Sequence, residues 1–162
     1  MVSTEIKVGI ADLNLVLDPG SIMTIGLGSC VGIALYDRTV KVAGLAHIML
    51  PDSTQFKSNS NPMKFADLAI PMLIEKMEQQ GCKKRNLIAK IAGGASMFNF
   101  SDKSIISDIG KRNSEAVKKA LKEQSIPIVA EEIGGNKGRT MIGYASDGKV
   151  VLKVVGCGII EL

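Results

Sequence analysis

Apolar residues along this chain fall into short runs broken by glycine and polar turns, the spacing of a strand-rich protein. Residues 22–25 form a β-branched run. In 31–36, Val31, Ile33 and Leu35 alternate with small residues. Residues 40–49 come after Asp37-Arg38-Thr39, so the two runs predict an antiparallel hairpin. Residues 87–92 and 126–133 are further strand candidates, the second interrupted by Pro127. Residues 139–145 and 149–155 flank Ser146-Asp147-Gly148, a hairpin signal because Asp-Gly tolerates the positive φ of a tight turn.

Helical periodicity appears twice. Residues 62–80 place Phe65, Ala66, Ala69, Met72, Leu73 and Met77 on one stripe, with Asn61 as N-cap, Pro62 at the first position and Gly81 at the close. Pro71 conflicts with this, since an interior proline removes a hydrogen bond, so the pattern predicts a kink or a later start. A second helix runs from 113 or 114 to 124, with Ala116, Val117, Ala120 and Leu121 inward, and a third short one is placed near 101–109. The polar stretch 52–61 reads as a long surface loop. Strands outnumber helices and several are hairpin-linked. The expected class is therefore α/β: mixed, largely antiparallel sheet covered by two main helices, not a doubly wound parallel sheet.

Composition narrows the functions. The 162 residues suit one domain, residues 1–162, and 46% hydrophobic with 22% charged residues excludes disorder. Aromatic residues are 4% with no Trp, which argues against nucleic-acid binding by stacked rings. The net charge of +4 is mild, and its short runs, Lys83-Lys84-Arg85 and Lys118-Lys119, read as solvated surface with at most a weak preference for acidic partners. The N-terminus has no apolar signal region, and no stretch approaches the ~18 consecutive apolar residues of a membrane span. A soluble, cytoplasmic protein is expected. The three cysteines fit no zinc spacing, and the single histidine excludes a His-rich metal site. Any thiol–imidazole chemistry has to use His47.

The segment Thr24-Ile25-Gly26-Leu27-Gly28-Ser29-Cys30-Val31-Gly32 ends a strand, turns on glycines and presents a thiol before the next strand. A phosphate cradle is disfavoured, because the residues after the turn are β-prone and offer no helix N-terminus. A nucleophile elbow needs strand–turn–helix and fails for the same reason. A Cys-His hydrolase on another scaffold fits better. If 31–36 and 40–49 pair antiparallel, Cys30 at the start of one strand and His47 at the end of the other share a sheet rim. Each residue alone has a plainer reading: a free cysteine as a small buried hydrophobe, a lone histidine as a satisfied core residue. Cys82 and Cys157 have no candidate base and read as structural or incidental.

Several segments taken together resemble one family. Gly26-Leu27-Gly28-Ser29-Cys30-Val31, Ala43-Gly44-Leu45-Ala46-His47-Ile48-Met49-Leu50-Pro51 and Ala92-Gly93-Gly94-Ala95-Ser96-Met97-Phe98 resemble the CheD chemoreceptor glutamine deamidases. So do Ile109-Gly110 with Arg112-Asn113, and Gly134-Gly135-Asn136 with Gly138-Arg139, in family order from about residue 6 to about 155. The resemblance implies a three-layer α/β sandwich and a catalytic site of Cys30 as nucleophile, His47 as base and Thr24 as third member. It implies conversion of glutamine side chains on methyl-accepting chemotaxis receptors to glutamate, binding to the CheC phosphatase, and no metal or cofactor. On this reading His47 takes the Cys30 proton to give a thiolate–imidazolium pair, and Thr24 fixes the other ring nitrogen. Main-chain N–H groups near Cys30 hold the oxyanion. Loop 52–61, leaving the same rim, reads either as a passive surface loop or as a segment that helps admit a receptor helix. The competing expectations are a mainly regulatory CheC-binding module and a thiol amidase or esterase acting on other modified side chains.

Overall fold

The computed structural model describes residues 3–56, 61–96 and 109–162. In chain order the elements are β1 (Thr4–Lys7), β2 (Asp12–Leu17), β3 (Gly20–Leu27), β4 (Val31–Asp37), β5 (Val42–Ile48), α1 (Ala66–Glu78), β6 (Leu87–Gly93), α2 (Ile109–Glu123), β7 (Ile128–Ile133), β8 (Arg139–Tyr144), β9 (Val150–Val154) and β10 (Gly158–Glu161). The strands form two five-stranded sheets, ordered β1-β3-β8-β9-β10 and β2-β5-β4-β6-β7. Among the described residues, β1–β3 and β6–β7 pair in parallel and the other strand pairings are antiparallel.

The second sheet is the middle layer, and its sequence carries the reason. Every residue of β4 and β5 is buried, because both faces are covered. On β4, Val31, Ile33 and Leu35 join a core with Leu73, Met77, Val117 and Leu121 of the helices. Ala34 and Tyr36 face the other way, into a core shared with Ile22, Met141 and Leu152 of the first sheet. The alternation of large and small residues in β4 thus records two unequal gaps. Gly32 is small because a Cβ there would meet Met141 Sδ at 2.7 Å and Leu27 Cδ1 at 3.0 Å across the inter-sheet gap. The architecture is the three-layer sandwich expected, sheet on sheet on helices.

Several boundaries differ from those the sequence predicts. The first helix begins at Ala66, with Phe65 as its N-cap; Pro62–Lys64 is a separate 3₁₀ turn, capped by Asn61 accepting from the Met63 N–H. Pro71 lies inside the helix, so a later start answers only part of the conflict. Gly81 adopts φ +95 just past the helix end, as expected of a glycine there. The second helix, expected from 113 or 114, is already formed at Ile109, the first described residue after 96, and buries Asn113 in its interior. The short helix expected near 101–109 lies outside the described residues apart from Ile109. The strand predicted at 22–25 runs the full length of β3, and β7 begins after Pro127. β1, β2 and β10 were not expected; β1 and β10 are mostly exposed edge strands, so apolar patterning has little to say about them.

Candidate functional site

The predicted β4–β5 hairpin forms, with Gly32 opposite His47 and Val31 opposite Ile48. Cys30 immediately precedes this pairing, so the thiol and the imidazole belong to one end of the middle sheet. His47 alternates with Ala46 and Ile48 of the helix-side core, so its ring enters the gap between the sheets. There it meets Thr24 of β3, from the other sheet. Thr24 Oγ1 lies 2.7 Å from His47 Nδ1 and 2.7 Å from the Val8 carbonyl oxygen. All three sequence-predicted residues therefore reach one rim, two of them in direct contact across the sheets.

The hydrogen bonds fix the tautomer. A carbonyl oxygen only accepts, so the single Thr24 hydroxyl proton goes to Val8. The hydroxyl oxygen must then accept from His47, which places the ring proton on Nδ1. Nε2 is left as a bare lone pair, buried and with no hydrogen-bond partner among the described residues. Such a group is a base without a proton to hold, the state a general base needs.

Burial shifts both titrating groups of the rim. Burial pushes the Cys30 thiol up, opposed in part by its own backbone N–H. Burial also drives His47 down to about 4. Both shifts favour the neutral forms, thiol and imidazole. Among the described residues no charged group offsets this desolvation.

The loop bearing Cys30 is held through its carbonyls. The Gly28 carbonyl accepts from Ala95 N at 2.8 Å and the Cys30 carbonyl from Gly94 N at 2.8 Å. The Ser29 carbonyl accepts from the Asn113 side-chain amide at 3.0 Å. The glycines opposite are required for this closeness: a Cβ on Gly93, at φ +117, would sit 2.2 Å from the Cys30 carbonyl oxygen. Arg139 is buried on β8 and donates to the Gly93 and Gly134 carbonyls at 3.2 and 2.7 Å while pairing with Glu132, tying the first sheet to the end of the second. The start of loop 52–61 is anchored too: Ser53 donates from N and Oγ to Asp67 of α1 at 3.0 and 2.7 Å, and Arg112 of α2 donates to Gln55. Residues 57–60 of that loop lie outside the described residues. Cys82 is buried with its thiol pushed up to about 11, and Cys157 is exposed on the connection between β9 and β10. Neither belongs to the rim.

Sequence reasoning missed Val8 and Asn113. A backbone carbonyl leaves no side-chain signal. Asn113 stands within the Arg112-Asn113 motif, yet the carbonyls that give it meaning come from distant positions.

Known proteins share this chain's sequence along most of its length. Residues 49–154 match the family model described as CheD chemotactic sensory transduction. That stretch begins after Thr24, Cys30 and His47, but full-length relatives extend over them. A protein of Clostridium botulinum strain Alaska E43, described as a probable chemoreceptor glutamine deamidase CheD, is 75% identical over 100% of both chains. One of Clostridium novyi strain NT with the same description is 69% identical over 96% of each. Among solved structures, Neisseria meningitidis protein NMB0706 superposes with a TM-score of 0.47 at 10% identity, covering 83% of this chain and 63% of that one. No helix of the described residues is long and apolar enough to cross a membrane.

Proposed function

This chain belongs to the CheD family, and from that premise we propose that it deamidates glutamine side chains of chemotaxis receptors, with Cys30 as nucleophile, His47 as base and Thr24 as the residue that orients it. The observation that carries the chemistry is the relay from His47 Nδ1 through Thr24 to the Val8 carbonyl, which leaves Nε2 bare at the sheet end that holds the thiol. A receptor glutamine entering the rim displaces water. As Cys30 Sγ attacks the carboxamide carbon, its proton passes to Nε2, so charge develops on sulfur, oxygen and imidazole together instead of beforehand. N–H groups of the pinned Cys30 loop receive the oxyanion. The imidazolium protonates the departing ammonia, leaving a thioester. Water, deprotonated by Nε2, hydrolyses it to glutamate and restores the thiol. No step calls on a metal or cofactor. The whole chain, residues 1–162, serves as one catalytic domain in the cytoplasm, where a reducing environment keeps its three free cysteines as thiols.

The test is incubation with purified receptor and mass spectrometry at each glutamine, where conversion adds a resolvable mass. Wild type converts specific sites; Cys30→Ala and His47→Ala, both folded, convert none. Conversion by folded Cys30→Ala at the wild-type rate would sink the assignment. The resemblance also implies a second partner, the CheC phosphatase. Phosphatase assays with and without this chain, including the Cys30→Ala form, separate that regulatory role from catalysis.

A further inference from the structure

Asn113 is polar, fully buried, and placed in the interior of α2 where an apolar residue would be cheaper. Its amide nitrogen spends both protons on carbonyls from two other parts of the chain: Ser29 at 3.0 Å and Met49 at 2.9 Å. Ser29 adjoins Cys30, and Met49 lies two residues beyond His47. The reverse orientation of the amide would set Oδ1 against two carbonyl oxygens, so the hydrogen bonds settle it. Oδ1 is left buried and unpartnered among the described residues, a cost the fold tolerates for the sake of the other end.

We propose that Asn113 is a positioning residue that holds the Cys30 and His47 segments in register at the rim. The proposal rests on the proposed function, in which these two residues react together. Peptide geometry supplies the physical reason. A trans peptide sets its C=O and N–H in opposite directions. By drawing the Ser29 carbonyl toward α2, Asn113 turns the Cys30 N–H the other way, toward the side where a thiolate or oxyanion needs a donor. The same nitrogen fixes the end of β5 through Met49. One side chain thus sets both the donor at the nucleophile and the approach of the base, and misplacement by about 1 Å in such a pair costs on the order of 100-fold in rate.

The experiment is a double-mutant cycle read at Cys30 itself. Site-resolved mass spectrometry tracks the rate of Cys30 alkylation by iodoacetamide in wild type, His47→Ala, Asn113→Asp and the combination. Asn113→Asp keeps the shape and removes the donor. We expect His47→Ala to change the alkylation rate several-fold in the wild-type background and not at all in the Asn113→Asp background. Receptor deamidation should lose roughly 10–100-fold in kcat with KM little changed. Asn113→Ser, which keeps one donor, should recover part of both, and Lys118→Ala, on the same helix with a half-exposed side chain paired to Glu131, should change neither. An equal His47 effect in both backgrounds overturns the proposal, as does a wild-type Cys30 indifferent to His47. So does failure of both Asn113 variants to fold, which would make the residue a determinant of the fold first. If wild type deamidates no receptor glutamine, the deamidase reading fails, while the cycle at Cys30 still decides the role of Asn113.

Discussion

Thr24 has one hydroxyl proton and two buried neighbours within 2.7 Å, and the way that conflict resolves determines what His47 can do. Thr24→Val keeps the shape and the burial but removes the hydroxyl. The Val8 carbonyl then loses its donor and Nδ1 its acceptor, so nothing holds the ring proton away from Nε2. Deamidation kcat should fall by about 10–100-fold, toward the lower range of what a positioned general base contributes. Thr24→Ser should keep most of the activity, since it keeps the oxygen and its proton. Equal rates for Thr24→Val and wild type would remove Thr24 from the mechanism. At this scale the sequence was informative about types and poor about relations. A single histidine leaves His47 as the one candidate imidazole, and the predicted hairpin places Cys30 at the same rim, while its role as nucleophile is what the resemblance implies. The direction of the Thr24 hydrogen bond was not legible, because it depends on a carbonyl sixteen residues away.

Strands and helices were legible where burial on a face imposes a period. The β4–β5 hairpin was readable because a middle layer must place large residues on one side and small ones on the other. The edge strands β1 and β10 were not, since strand pairing there involves backbone groups that any side chain permits. The part of α2 before residue 113 was hidden for a related reason. Gly110 looks like a poor helix residue, yet a Cβ there would lie 2.4 Å from the Ala95 carbonyl oxygen, so the helix accepts a glycine to bring the loop after β6 close. Gly93 tests this close approach. Gly93→Ala must both strain a φ of +117 and push the Cys30 carbonyl away, whereas Gly134→Ala, at φ +88 with open space around the added Cβ, meets only the conformational strain. In urea titrations Gly134→Ala should cost about 1 kcal/mol and Gly93→Ala clearly more, on the order of 3 kcal/mol. Gly93→Ala should also lose deamidation in the fraction that remains folded. Equal stabilities for the two would mean the contact with Cys30 relaxes freely.

Across the whole molecule, the site exists only where the two sheets meet: Thr24 comes from one, Cys30 and His47 from the other, and Arg139 fastens the same end. Burying a neutral imidazole in that gap makes folding sensitive to acid. His47 titrates near 4 when folded and near its ordinary 6.5 when unfolded. Between these values the unfolded chain binds a proton that the folded chain refuses. Stability is therefore undiminished by this group above pH 6.5 and declines as pH falls toward about 4, by roughly 3 kcal/mol in all. Urea midpoints measured across that range should fall more steeply for wild type than for His47→Gln, and parallel slopes would show that the ring is solvated. The same shielding has a consequence for the thiol. Peroxide attacks thiolates far faster than thiols. Cys30, half-buried and kept protonated, presents little thiolate to an oxidant, while Cys157 lies exposed on the far connection. Peroxide should therefore oxidise Cys157 well before Cys30, an order that site-resolved mass spectrometry of the treated protein reads directly.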